Sequence, residues 1–165
     1  MGEPDKAYER ALTFLEKRDR TEKEVRDKLS GAGFAEDAVS EALARLIDAG
    51  LVNDADYALR YMEALASKGR GRLRIAAEMR RKGLPDELVR NTIEDGGLGE
   101  DERERAIQAA RQALASIPDG TDPVKAASRV NRRLVTLGFS YDVIGEVMSG
   151  LRKVSEDEEW DINRE

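Results

Sequence analysis

The chain has 165 residues, 38% of them charged and 5% aromatic, with a formal net charge of −6. It contains neither cysteine nor histidine, which excludes disulfide staples, thiolate nucleophiles, Ser–His or Cys–His pairs and His-ligated zinc. No apolar run approaches membrane-spanning length, and Met1–Lys6 lacks the basic start and apolar stretch of a signal peptide, so the expected location is the cytoplasm.

Apolar residues recur at helical spacing from the start: Ala7, Tyr8, Ala11, Leu12 and Leu15. Thr21-Glu22-Lys23-Glu24 reads as a capping box that opens a short helix with Val25 and Leu29 inward. Gly31 and Gly33 are expected to break it, because glycine readily takes the left-handed conformation that closes helices. A third helix carries Val39, Leu43, Leu46 and Ile47 on one stripe and ends at Gly50. This first set of three spans residues 7–50.

The scheme repeats over residues 53–96. Asn53 is the expected N-cap of a helix with Tyr57, Tyr61, Met62 and Leu65 on its stripe. Leu73, Ile75 and Met79 belong to the next helix. Pro85 suits the first position of the third, where Leu88, Val89 and Ile93 face inward. Asp95-Gly96-Gly97-Leu98-Gly99 then interrupts the pattern and is the candidate hinge. The last set, residues 100–154, begins near Glu100 with Ala106, Ile107, Ala110 and Leu114 inward. Pro118–Pro123 is a longer loop, in which Asp122 caps a helix opened by Pro123 with the stripe Ala127, Val130, Leu134 and Leu137. Ser140 caps the final helix, with Ile144, Val147, Met148 and Leu151 inward. Residues 155–165 carry six acids and one arginine and read as a disordered acidic tail, leaving a net charge of only −1 for the rest.

Three pairs punctuate this order: Gly33-Phe34, Gly83-Leu84 and Gly138-Phe139, 50 and 55 residues apart. A period of that size means one supersecondary unit copied along the chain, each copy burying its apolar face partly on its neighbour. The expected fold is all-α, three tandem three-helix repeats in an elongated monomer. Such scaffolds usually bind a macromolecule.

The strongest chemical signal is basic. Lys68, Arg70, Arg72, Arg74, Arg80, Arg81 and Lys82 stand within fifteen residues with Glu78 as the one acid among them. A helical wheel puts Arg70, Arg74 and Arg81 on one face, opposite Ile75 and Met79. A face of this kind can hold phosphates or an acidic protein surface. It can equally be a solvated helix side with Arg74–Glu78 and Glu78–Lys82 pairs. Asn53-Asp54-Ala55-Asp56 lacks the further oxygens of a calcium loop and reads as capping. Gly69-Arg70-Gly71 has no Walker spacing. Tyr8, Tyr57 and Tyr61 read as core or groove residues, and Trp160 as part of the tail. No catalytic, cofactor or metal residues are expected. An enzyme would need paired carboxylates in an apolar pocket, and nothing in the sequence places such a pair.

Gly50-Leu51-Val52-Asn53-Asp54-Ala55-Asp56-Tyr57-Ala58 and the stretch Gly71–Leu84 resemble the central signature of the RecX proteins, regulators of the RecA recombinase. The second stretch agrees at Gly71, Arg74, Ile75, Glu78, Lys82 and Gly83. It departs at Arg72, where the family pattern has proline, and more mildly at Met79 and Leu84. The opening Ala7–Phe34 is similar to the family's first unit; the likeness extends over about residues 7–151 and leaves the acidic tail unplaced. The resemblance implies a curved array of three-helix repeats that binds along the groove of the RecA–DNA filament. Filament growth would be blocked or the filament destabilised, with the seven basic residues contacting RecA or DNA. The residues alone also admit a direct DNA-binding protein, because three-helix units with short turns overlap with helix-turn-helix geometry. The nearly neutral body speaks against that reading.

Overall fold

A computed structural model describes residues 2–156, and for residue 100 and residues 152–156 the backbone alone. Among the described residues there are nine helices and no strand: α1 (Glu3–Leu15), α2 (Glu22–Gly31), α3 (Glu36–Asp48), α4 (Asp54–Ser67), α5 (Arg72–Arg81), α6 (Asp86–Asp95), α7 (Leu98–Ala115), α8 (Pro123–Leu137) and α9 (Tyr141–Glu156). The fold is the all-α helical repeat that the sequence implied. Residues 157–165, with Trp160 and most of the acidic segment, lie outside the described residues.

The local signals act largely as their chemistry dictates. Thr21 accepts the Glu24 N–H at 3.2 Å while Glu24 takes the Thr21 N–H at 3.1 Å, completing the capping box. Asn53 Oδ1 accepts the Asp56 N–H and Asp122 Oδ1 the Lys125 N–H, both at 3.0 Å. Other boundaries differ. Gly31 is the last helical residue of α2, and the left-handed turn falls to Gly33 alone. Pro85 precedes α6 and lends its carbonyl to Val89 at 2.9 Å. The third set starts at Leu98, which is buried, because Gly97 already takes the left-handed turn before it. Ile47, placed on the inward stripe by periodicity, is 39% exposed.

The chain falls into two compact units. One holds everything up to Glu63 together with Ala76–Thr92; the other holds Ala64–Ile75 and the chain from Ile93 onward. Helices α4, α5 and α6 therefore contribute to both. In the first unit, Ala7, Ala11, Val25, Leu29, Val39 and Leu46 make a core against which Tyr8, Leu12 and Phe34 pack. In the second, Ala106, Ala110, Val130, Leu134, Phe139 and Ile144 do the same, with Met148 and Leu151 packed on them. None of these short helices is stable alone in water, so this burial holds them.

Candidate partner-binding surface

Each unit contains a junction between neighbouring three-helix sets, and the junctions are chemically alike. In the first, the N-terminus of α2 meets α4 and the turn after α5. The Glu22 N–H donates to Asp54 Oδ1 at 2.9 Å, and the buried Thr21 hydroxyl donates to the Lys82 carbonyl at 2.7 Å. A Cβ on Gly83 would stand 2.2–2.8 Å from the Lys23 side chain. In the second, the N-terminus of α5 meets α7 and the turn after α8. The Arg72 N–H donates to Glu102 Oε1 at 3.1 Å, the Gly71 N–H to the Leu137 carbonyl at 2.9 Å, and the Leu73 N–H to the Gly138 carbonyl at 3.0 Å. A Cβ on Gly138 would meet the Arg74 backbone N at 2.6 Å, and one on Gly71 the Phe139 N at 2.2 Å. In both junctions an acid from the first helix of one set terminates the second helix of the set before it, satisfying N–H groups that a helix leaves free.

Glu102 does more than cap. It is 1% exposed, and also accepts the Ser140 N–H at Oε1 and the Ser140 hydroxyl at Oε2, each at 3.0 Å. Ser140, the residue before α9, therefore donates its hydroxyl to Glu102. Arg72 Nε lies 3.3 Å from Glu102 Oε2, an ionic contact and not an aligned hydrogen bond. The burial of a carboxylate is tolerated because its acceptor sites are filled and a cation stands beside it. Sequence reading missed Glu102. Its one trace is spacing: it precedes Ala106, Ala109 and Ala113 on their side of α7.

These contacts sort the seven basic residues. Lys68, Arg70, Arg72 and Arg74 belong to the second unit; Arg80, Arg81 and Lys82 belong to the first. Arg70 lies before the first residue of α5, so it is not on that helix's face with Arg74 and Arg81. Arg72 is held by Glu102. Arg80 Nε pairs with Asp86 at 2.6 Å, Arg81 pairs with Glu78, and Lys82 Nζ sits 3.5 Å from Glu24 and 5.9 Å from the Tyr61 ring centroid. Glu78 thus pairs with Arg81 at i,i+3 on α5. Arg74 is exposed and is engaged within the fold. Lys68 and Arg70, in the turn between α4 and α5, have no ionic partner among the described residues.

Titration follows the same contacts. Burial pushes the Glu24 carboxyl up, but the Arg18 hydrogen bond, the Thr21 N–H and the charge of Lys82 outweigh it and leave the group below its ordinary value. Burial raises Asp54 and Glu22, and neighbouring carboxylates add to both shifts. Among the described residues no group of acidic side chains is placed to hold a metal ion. No helix there is long and apolar enough to cross a membrane.

Comparison with known proteins follows this geometry closely. Residues 7–46 match the model of the RecX first three-helix domain, and residues 53–93 that of the second. A regulatory protein RecX from Mycobacterium sp. (strain KMS) is 32% identical over 149 residues, 88% of this chain and 81% of the relative. One from Chromohalobacter salexigens is 31% identical over 139 residues, covering 84% and 88%. The crystal structure of RecX from Lactobacillus salivarius superposes with a TM-score of 0.81 at 29% identity, over 92% of this chain and 97% of that one.

Proposed function

The chain belongs to the RecX family of regulatory proteins, and on that premise we propose that it inhibits the RecA recombinase. It binds along the groove of the RecA–DNA filament and blocks filament growth or destabilises the filament, lowering recombination and SOS induction. It acts as a monomer, by binding and without catalysis. The observation that carries this reading is the family match through the middle segment, residues 53–93, which contains most of the basic run.

Within that run, Lys68 and Arg70 are the groups whose charge is not committed to another part of the fold, and they make the first contacts. Arg74, Arg80 and Arg81 are exposed and follow; Arg72 and Lys82 act mainly by holding α5 in place. Titration into cognate RecA filaments, following ATP hydrolysis and strand exchange together, tests the proposal. Substoichiometric protein should depress both. Unchanged rates at equimolar protein would refute it. Contact with DNA phosphate gives a salt slope that falls by about one for each cation removed, whereas contact with RecA carboxylates changes chiefly the association rate.

A further inference from the structure

The second unit carries a second basic feature, which shares Lys68 with the run of residues 68–82 and otherwise lies outside it. Two adjoining shallow hollows, of about 440 and 370 Å³, lie between α7 and α8. Both are lined by Ala109, Leu137 and Gln112, so the shared floor is partly apolar, extended by Ala113 and Ile117, with the Gln112 amide beside it. Their rim is cationic: Arg129 and Arg133 on α8, Arg105 on α7, and Lys68 at the end near α4. No carboxylate lines either hollow. Lys68, Arg129 and Arg133 have no ionic partner among the described residues, and Arg105 spends one N–H on the Leu98 carbonyl at 3.2 Å.

We propose that this groove is a docking site for an acidic amphipathic helix of a partner protein. The inference goes beyond the RecA reading and does not depend on it. A helix laid in a groove presents an apolar stripe to the floor and its flanks to the rim. Ala109 and Ala113 let a backbone approach closely. Arg129 and Arg133 are one turn apart on α8, which sets their side chains about 5–6 Å from each other, the spacing of carboxylates at i and i+4 on a docked helix. From Arg105 to Ile117 the floor runs about 18 Å, the length of roughly twelve helical residues. Single-stranded nucleic acid fits less well, because base stacking calls for aromatic platforms and no aromatic side chain lines the hollows.

The test uses the full chain and a fluorescein-labelled peptide of roughly twelve residues, with leucine and alanine on one face and glutamate on its flanks. Controls are the same peptide with lysine in place of glutamate and a single-stranded oligonucleotide of equal charge. Anisotropy should show saturable binding of the glutamate peptide alone. The double variant Arg129→Glu, Arg133→Glu should weaken it about tenfold or more, because both rim contacts reverse sign. Ala113→Phe, which fills the floor without changing charge, should weaken it as well, with circular dichroism unchanged in both variants.

Three results overturn the proposal. Neither peptide binds. Or the oligonucleotide binds as tightly and is lost in the same double variant, which makes the groove a nucleic-acid track. Or the glutamate peptide binds only after Asp157, Glu158 and Glu159 are changed to Asn, Gln and Gln in the full chain, which makes this chain's own acidic end the occupant.

Discussion

At the residue scale, the sharpest constraints are steric. Gly33, Gly83 and Gly138 all take positive φ, of 88°, 83° and 80°. A side chain there costs about 1–2 kcal/mol from the left-handed conformation alone. The space beyond the Cα separates them. Gly33 faces nothing within 4 Å, Gly83 faces the methylenes of Lys23, and Gly138 faces the backbone of Arg74. Alanine substitution should therefore cost least at Gly33 and more at Gly83 and Gly138, because the Lys23 Cβ, 2.6 Å from the new methyl, and the Arg74 backbone both have to move. Urea unfolding of the three variants gives the order, and equal losses would show that φ alone matters. Glu102→Ala should cost about 3–5 kcal/mol, because the Arg72 and Ser140 amides and the Ser140 hydroxyl lose their acceptor and Arg72 its partner. Glu102→Gln keeps an acceptor and should cost less. The glycines were legible because the pattern repeats three times. Glu102 was not, because Asp101, Glu102 and Glu104 look alike in sequence and only the tertiary fold selects Glu102 among them to turn inward.

At the element scale, the helices followed from apolar spacing and caps, while their ends depended on neighbours. Gly31 stays helical because the α2 turn is completed three residues later, by the Phe34 N–H reaching the Leu29 carbonyl at 3.4 Å. Ser140 stands directly before α9, where its carbonyl accepts the Ile144 N–H at 2.9 Å, while its hydroxyl donates to Glu102. The basic run was legible as a run. Its division into committed and free charges was not, since the partners Glu24 and Glu102 lie 58 and 30 residues away from Lys82 and Arg72. That division makes a prediction. Lys68→Glu with Arg70→Glu should leave the melting temperature nearly unchanged, because Lys68 is exposed, Arg70 is only half-buried, and surface charges without an ionic partner contribute little. Arg72→Glu should cost roughly 2 kcal/mol, between the values for a surface and a buried pair, because it sets a like charge against Glu102. If the proposed function holds, the Lys68/Arg70 variant also inhibits RecA less than the parent. A variant that keeps both its stability and full inhibition would move the contact surface away from this turn.

At the scale of the whole molecule, the same junction occurs once in each compact unit, built from different residues. Asp54 and Glu102 play matching parts, as do Gly83 and Gly138. The acids differ in burial, and so should their effect on stability. The chain has no histidine, so no side chain has an ordinary pKa between pH 5 and 8, and stability should be flat across that range. The acid limb is set by carboxylates, and in the first unit they oppose one another. Glu24 is held below its ordinary value, so its contribution is present above the unfolded pKa and lost as pH falls through the folded one. Asp54 and Glu22 are raised, so the folded state binds their protons more readily than the unfolded chain, and acidification through their folded values adds stability. The parent should therefore hold or gain slightly as pH falls from about 6 towards 4, then lose stability below that as Glu24 protonates. Asp54→Asn keeps an oxygen for the Glu22 N–H and removes the like charge beside Glu22. Its stability at pH 7 should be no lower than the parent's, and its plateau should shrink to what the burial of Glu22 alone supplies. Urea midpoints from pH 7 to pH 3 make the comparison. Coincident profiles for parent and variant would mean that Asp54 carries no such linkage and that the junction is held by its hydrogen bonds and packing alone.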